Sequence, residues 1–157
     1  MASLQQRILD LIGEHHVLTL ATCYEDEPYC ANVFYAFLEE DQLFVFSSEN
    51  STEHMRQVAH NMFVAASIFL ETDVVGKTQG MQLQGMVYQP KDELKKKAKR
   101  AYMQRFPYAS LIETSFWILE PIWVKLTDDR LGFGKKFTWK KDNIVDTDFL
   151  NPSNKFS

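Results

Sequence analysis

The sequence predicts a mainly β protein, an antiparallel β-barrel with peripheral helices, on three observations. Short runs rich in β-branched and aromatic residues recur along the chain, separated by turns of only a few polar residues. Parallel neighbours need crossovers of a dozen or more residues, so strands spaced this closely pair antiparallel. Only three segments carry helical periodicity, and they are placed too irregularly for βαβ alternation. With 157 residues, 45% of them hydrophobic, the chain has the size of one domain. A domain of about 150 residues buries roughly 68–70% of its unfolded surface, enough for a core without staples.

The elements follow in order. Leu4, Ile8, Leu11 and Ile12 share one face of a helix from Ser3 to about Gly13, with Ser3 as its cap and Gly13 as its stop. His16 to Cys23 is β-branched and apolar and reads as a buried strand, closed by a turn at Glu25-Asp26-Glu27-Pro28. Tyr29 to Leu38 and Leu43 to Ser47 continue the meander around a second turn at Glu39-Glu40-Asp41. Met55, Val58, Ala59 and Met62 recur at helical spacing, with Ser51 or Thr52 placed to cap. Phe63 to Leu70 and Gln79 to Gln89 are strands on either side of a loop at Glu71–Lys77.

The longest helix opens at Pro90-Lys91-Asp92 and runs to about Phe106. Its stripe of Leu94, Ala98, Ala101 and Tyr102 lies opposite a basic run from Lys95 to Arg100. Pro107 ends it. Trp117 to Leu126 is a last long strand in which Pro121 marks a bulge or an edge. The segment from Asp128 to Trp139 adds a final hairpin. About six strands and three helices result, as one domain over 1–142 with a loosely held tail over 143–157.

Composition narrows the function. Seventeen basic against twenty-one acidic residues give a charge of −4, against a dedicated nucleic-acid binder. The basic helix face is read as solvated rather than as a nucleic-acid or membrane patch, because Asp92 and Glu93 partly balance it. No apolar run reaches the ~20 residues that span a bilayer, and no secretory leader opens the chain. The expectation is a cytoplasmic protein with neither membrane nor nucleic acid as partner. Cys23 and Cys30 are too few for a disulfide framework. His15, His16, His54 and His60 lack the paired spacing of zinc ligands, so no metal site is read. There is no nucleophile elbow, and no catalytic residue stands out.

The most informative stretch is Ser47-Ser48-Glu49-Asn50-Ser51-Thr52-Glu53-His54. It carries a strand end into a helix start, with several hydroxyls and one imidazole. A helix N-terminus presents unpaired N–H groups and a positive dipole end, which suits phosphate. Simple capping by Ser51 or Thr52 accounts for the same residues equally well.

The order helix, meander, hydroxyl-rich turn, apolar strand, Gln-x-x-Gln-x-x-Gly strand and basic helix resembles the FMN-binding split barrel of the pyridoxamine 5′-phosphate oxidase-like superfamily. More closely it resembles that superfamily's uncharacterised YhbP-like branch. The stretches that carry this are Cys30-Ala31-Asn32-Val33-Phe34-Tyr35, Ala101-Tyr102-Met103-Gln104-Arg105-Phe106-Pro107, and Leu131-Gly132-Phe133-Gly134-Lys135-Lys136 with Trp139. The last two are the more specific, and the resemblance covers roughly residues 5 to 142.

It implies a six-stranded antiparallel FMN-binding split barrel, homodimeric, with FMN at the dimer interface. By position, Asn32 and Val33 would lie near the flavin ring or ribityl chain. Phe46, Ser47 and Ser48 match the strand end at the flavin and its phosphate, and Thr52 and His54 match the phosphate holders. Gln79, Gly80 and Gln82 match the strand reaching the cofactor from the other side, with Lys135 and Trp139 closing the site. The oxidase proper offers arginine and lysine to the phosphate where this chain has neutral residues or His54, which implies weaker holding. Its substrate-phosphate motif is also not visible, so pyridoxamine 5′-phosphate oxidase activity itself is not expected. Two functions follow: an FMN-dependent oxidoreductase of an unidentified small molecule, or a non-enzymatic barrel that carries or senses flavin, haem or another planar ligand.

Overall fold

The structure, a computed structural model, describes residues 4–142 except position 133. Ser3, expected as a cap, and the expected tail over 143–157 lie outside the described residues. The chain runs α1 (Gln6–Glu14), β1 (Val17–Tyr24), β2 (Glu27–Leu38), β3 (Leu43–Ser48), α2 (Glu53–His60), β4 (Phe63–Phe69), β5 (Gln79–Tyr88), α3 (Asp92–Arg105), β6 (Ser115–Asp128) and β7 (Lys136–Lys140). Short 3-10 turns occupy Pro107–Leu111 and Asp129–Leu131.

The sheet order is β3-β2-β1-β4-β5-β6-β7, all neighbours antiparallel, and β3 also pairs with β6. That last pairing closes β1–β6 into a six-stranded split barrel, with β7 attached beyond the ring. β6 therefore serves three partners. Its first residues pair with β3, Ile118 to Asp128 pair with β5, and Trp123 to Thr127 pair with β7. Pro121 sits where β6 passes from one partner to the next. The register slips there, leaving Ile122 between Pro121, opposite Gly85, and Trp123, opposite Gln84. A side chain at Gly85 would lie 2.4 Å from the Glu120 carbonyl oxygen, so the bulge requires glycine. The Pro121 interruption is thus a β-bulge.

Inside the barrel, Leu18, Leu20, Tyr35, Phe44, Phe46 and Leu83 are among the fully buried side chains. α1 closes the end where β1 begins, burying Ile8, Leu11 and Ile12, and the Tyr35 hydroxyl donates to the Ile12 carbonyl at 2.7 Å. α2 closes the opposite end with Met55 and Val58. There the Thr22 hydroxyl donates to Gln57 Oε1 at 2.7 Å, and Gln57 Nε2 donates to the Glu27 carbonyl. α3 lies on the outside, where Ala98 and Tyr102 pack against Ala36, Leu43, Val45 and Ile118 in a second cluster.

Local chemistry moves three boundaries. α1 runs through Gly13 to Glu14 and turns at extended His15, so Gly13 is not its stop. Glu25 and Asp26 both take left-handed φ, 50° and 62°, so the first hairpin turns in two residues and Pro28 is already in β2. Such a mirror-image turn matches the twist of the flanking strands. The final segment adds β7 as a seventh strand on β6, beyond the six expected.

Candidate functional site

β3 ends in Ser47 and Ser48, and β6 holds that end in place, since Ser48 pairs with Ser115. The Ser48 Oγ lies 2.8 Å from His54 Nε2 and 3.3 Å from Thr52 Oγ1, which is itself 3.3 Å from His54 Nε2. Two hydroxyls and one imidazole nitrogen thus converge at the start of α2. Ser48 and His54 are 8% and 9% exposed. Trp117 Nε1 donates to the Ser48 carbonyl at 3.2 Å, and the Ser47 hydroxyl meets that of Thr114 at 2.7 Å.

Thr52 occupies the cap position without capping. Its hydroxyl donates instead to the Glu49 carbonyl at 2.9 Å, and no side chain caps the helix. The positive end of the helix thus keeps its N–H groups beside the hydroxyls. Burial lowers the pKa of His54, so the imidazole is neutral at pH 7 and its Nε2 either accepts or donates a single bond. Glu53 carries the carboxylate of that first turn. Arg56 engages it at 2.6 and 2.9 Å and holds it below its ordinary range. The uncapped N–H groups of this helix start fit a small anion such as a phosphate, while the Thr52 hydroxyl is already given to Glu49 and the Ser48 hydroxyl and His54 Nε2 engage each other.

A second surface is built by register. The outward residues Asn32, Thr19, Ser67, Gln82 and Lys125 stand side by side across β2, β1, β4, β5 and β6. At about 4.8 Å per strand this polar row is roughly 19 Å long. One pleat away on one side run Cys30, Ala21, Ala65, Gln84 and Trp123, small in the middle. On the other side lie Phe34 beside Val17, and Phe69 beside Gly80. Phe34 and Phe69 are 54% and 52% exposed. The Thr19 hydroxyl donates to Asn32 Oδ1 at 2.9 Å. The surface joins an apolar border to a hydroxyl and amide row over small side chains, which suits one face of a planar heteroaromatic ring.

The residues singled out from the sequence therefore fall in several places. Ser48, Thr52 and His54 come together at the α2 start, with Ser47 beside them. Asn32 and Gln82 share the outer polar row, and Gly80 is covered by Phe69, whose ring carbon would lie 2.8 Å from a Cβ there. Val33, Phe46 and Trp139 point inward and pack in the barrel core, so their side chains do not reach a ligand outside the barrel. Gln79 borders a cleft of about 150 Å³ between α1 and the end of β6. Lys135 is exposed, its ammonium 5.7 Å from the centre of the Phe137 ring. A larger cleft of about 350 Å³, between α1, β2 and α3, lies apart from both surfaces. Thr19, Ser67, Gln84 and Lys125 escape a sequence reading, since only alternation within each strand marks them as outward.

No protein-family model matches the chain. It is 35% identical over 130 residues to a UPF0306 protein of Photorhabdus laumondii, covering 83% of this chain and 91% of that relative. It is 30% identical over 132 residues to the UPF0306 protein YhbP of Salmonella arizonae, covering 84% and 90%. Among solved structures, a haem-binding protein from Mycobacterium smegmatis superposes with a TM-score of 0.75 at 19% identity. That match covers 89% of this chain but spans only 60% of the other. A pyridoxamine 5′-phosphate oxidase-related, FMN-binding protein from Nostoc punctiforme gives 0.67 at 12% identity, covering 91% and 93%. The two structures share the split-barrel fold with this chain, and the sequence relatives make the assignment closer: the chain belongs to the UPF0306 family.

Proposed function

We propose that the protein is a homodimeric FMN-binding split barrel and acts as a flavin-dependent oxidoreductase of a small molecule. The observation that carries the reading is the uncapped start of α2, whose free N–H groups suit the flavin phosphate, with the polar side chains of Ser48, Thr52 and His54 gathered beside it. FMN, when bound, supplies the redox chemistry. The protein orients it and tunes its electronics through hydrogen bonds and nearby charge. In this reading the α2 start fixes the phosphate, while Asn32 and Gln82 offer amides to the ring edge over the small side chains of Ala21 and Ala65. The exposed Phe34 and Phe69 border belongs to the face that a second subunit covers, which shields the ring from water.

The likeness to a haem-binding barrel supports the other reading, a carrier or sensor of a planar ligand, for which exposed Cys30 on the same face offers a thiol ligand. An absorption spectrum of the purified protein, repeated after FMN is added and the sample desalted, tests the proposal. A retained and shifted flavin spectrum is expected, with affinity several-fold weaker in Thr52→Ala and His54→Ala while folding is kept. A Soret band, or release of all added FMN, overturns the flavin reading. Unchanged affinity in both variants overturns the phosphate assignment. Light scattering at micromolar concentration is expected to give a dimer, and a monomer refutes the two-subunit site.

A further inference from the structure

The rows on the outer sheet face continue onto β7, and there their chemistry changes. Gln82 stands opposite Lys125, which faces Thr138, and Gly80 stands opposite Thr127, which faces Lys136. Lys136 is thus the diagonal neighbour of Lys125 across the β6–β7 pair, about 7–8 Å away. The outward positions of β1, β4, β5, β6 from Trp123 to Thr127, β7, and β2 from Pro28 to Phe34 hold no carboxylate, although the chain carries 21 Asp and Glu and a net charge of −4.

The two acids at the end of β6 are committed elsewhere. Asp128 accepts from Arg130 at 2.7 and 3.0 Å, and Asp129 accepts the backbone N–H groups of Thr78 and Gly134. Lys125 is half-buried on the sheet, and no carboxylate among the described residues pairs with it or with Lys136. Like charges on neighbouring positions with no carboxylate partner among the described residues repel each other. Beside them lie the hydroxyls of Thr127 and Thr138, the Gln82 amide and the apolar border of Phe69. The face therefore grades from apolar on β4 through amide on β5 to cationic on β6 and β7.

We propose that Lys125 and Lys136 form a binding site for the phosphate of an amphipathic anion whose apolar part lies over β4 and β5. The phosphate belongs either to the flavin mononucleotide itself or to a second phosphorylated ligand such as a dinucleotide electron donor. That the pair holds a phosphate does not rest on the flavin reading, but the first source would move the flavin phosphate here from the α2 start.

Isothermal titration of the full-length protein with inorganic pyrophosphate tests it, in wild type, in Lys125→Met with Lys136→Met, and in Thr52→Ala with His54→Ala. Charge-assisted hydrogen bonds to phosphate imply a loss of about tenfold or more in the double lysine variant, and wild-type binding that weakens with added salt. The urea midpoint of that variant is expected to be unchanged or higher, because a repulsion is removed. Pyrophosphate affinity that survives the lysine replacements, or is abolished only by the Thr52 and His54 replacements, overturns the proposal. Titration with FMN then identifies the source. A parallel loss in the lysine variant assigns the site to the flavin phosphate, and unchanged FMN affinity assigns it to a second ligand. Failure of FMN to bind the wild type defeats the flavin reading alone and leaves the pyrophosphate result standing.

Discussion

Replacing Arg105 should destabilise the protein far more than a half-exposed surface arginine normally does. Its guanidinium donates to the Tyr35 carbonyl at 2.8 Å, to the Gly13 carbonyl at 3.3 Å and to the His15 carbonyl. It also stacks over the Tyr35 ring at 5.0 Å and the Phe106 ring at 5.6 Å. Those contacts tie the end of α3 to β2 and to the connector between α1 and β1, so they pin the helix that plugs one barrel mouth. On the opposite side of that connection the buried Tyr35 phenol, pushed up to about 12 by desolvation, donates to the Ile12 carbonyl. Hydrogen bonds to a charged donor contribute about 1.5–3 kcal/mol each, and an exposed cation–π contact about 0.5–1 kcal/mol. Water reaches the carbonyls once the side chain is gone, so the net cost of Arg105→Ala is about 2–4 kcal/mol. With a urea m-value of about 1–3 kcal/mol/M, the midpoint should fall by roughly 1–2 M. Circular dichroism across a urea series reads this directly, and Arg105→Lys, which cannot fork between carbonyls, should recover less than half. A loss under about 0.5 kcal/mol, the range of ordinary surface changes, refutes the role of Arg105 as a clamp.

The buried imidazole and the β6 bulge each lead to a further measurable outcome. Burial holds His54 below its unfolded pKa of about 6.5, so between the two values the unfolded chain binds more protons. Stability attributable to His54 is therefore complete above about pH 6.5 and is lost as the pH falls through the folded value. Urea midpoints measured on both sides of that window should show this dependence in wild type, and His54→Gln should remove that component. Gly85→Ala should cost about 1–3 kcal/mol or more, because its Cβ would meet the Glu120 carbonyl. A thermal scan showing no loss would mean that the bulge relaxes freely.

What could be read in the sequence was what is local. The strands lie where apolar runs and short turns put them, and α3 buries Ala98 and Tyr102 from the stripe that its spacing marks. Ser48, Thr52 and His54 are within seven residues of one another, so one turn suffices to gather them. Pairing is different in kind. Phe46 and Trp139 match a site by position along the chain, yet strand alternation turns both inward. A shift of one residue flips a whole strand, and motif matching does not carry that parity. The two-residue hairpin at Glu25 and Asp26 was also hidden, because neither residue is the asparagine or glycine that normally announces left-handed φ.

One phosphate group cannot occupy both phosphate-suited places of one subunit. Ser48 is paired with Ser115 at the start of β6, and Lys125 lies ten residues further along that strand. At about 3.3 Å per residue this is a path of roughly 33 Å along the strand. A single phosphate engages both places only if they come from different subunits. The exposed Phe34 and Phe69 border supplies an apolar face on which a second copy could pack to bring them together. In a dimer closed that way, the lysine variant and the Thr52 and His54 variant weaken the same ligand. A monomer, or variants that each weaken a different ligand, would instead mean that the barrel holds two anions on two surfaces, with the outer face serving a second reactant.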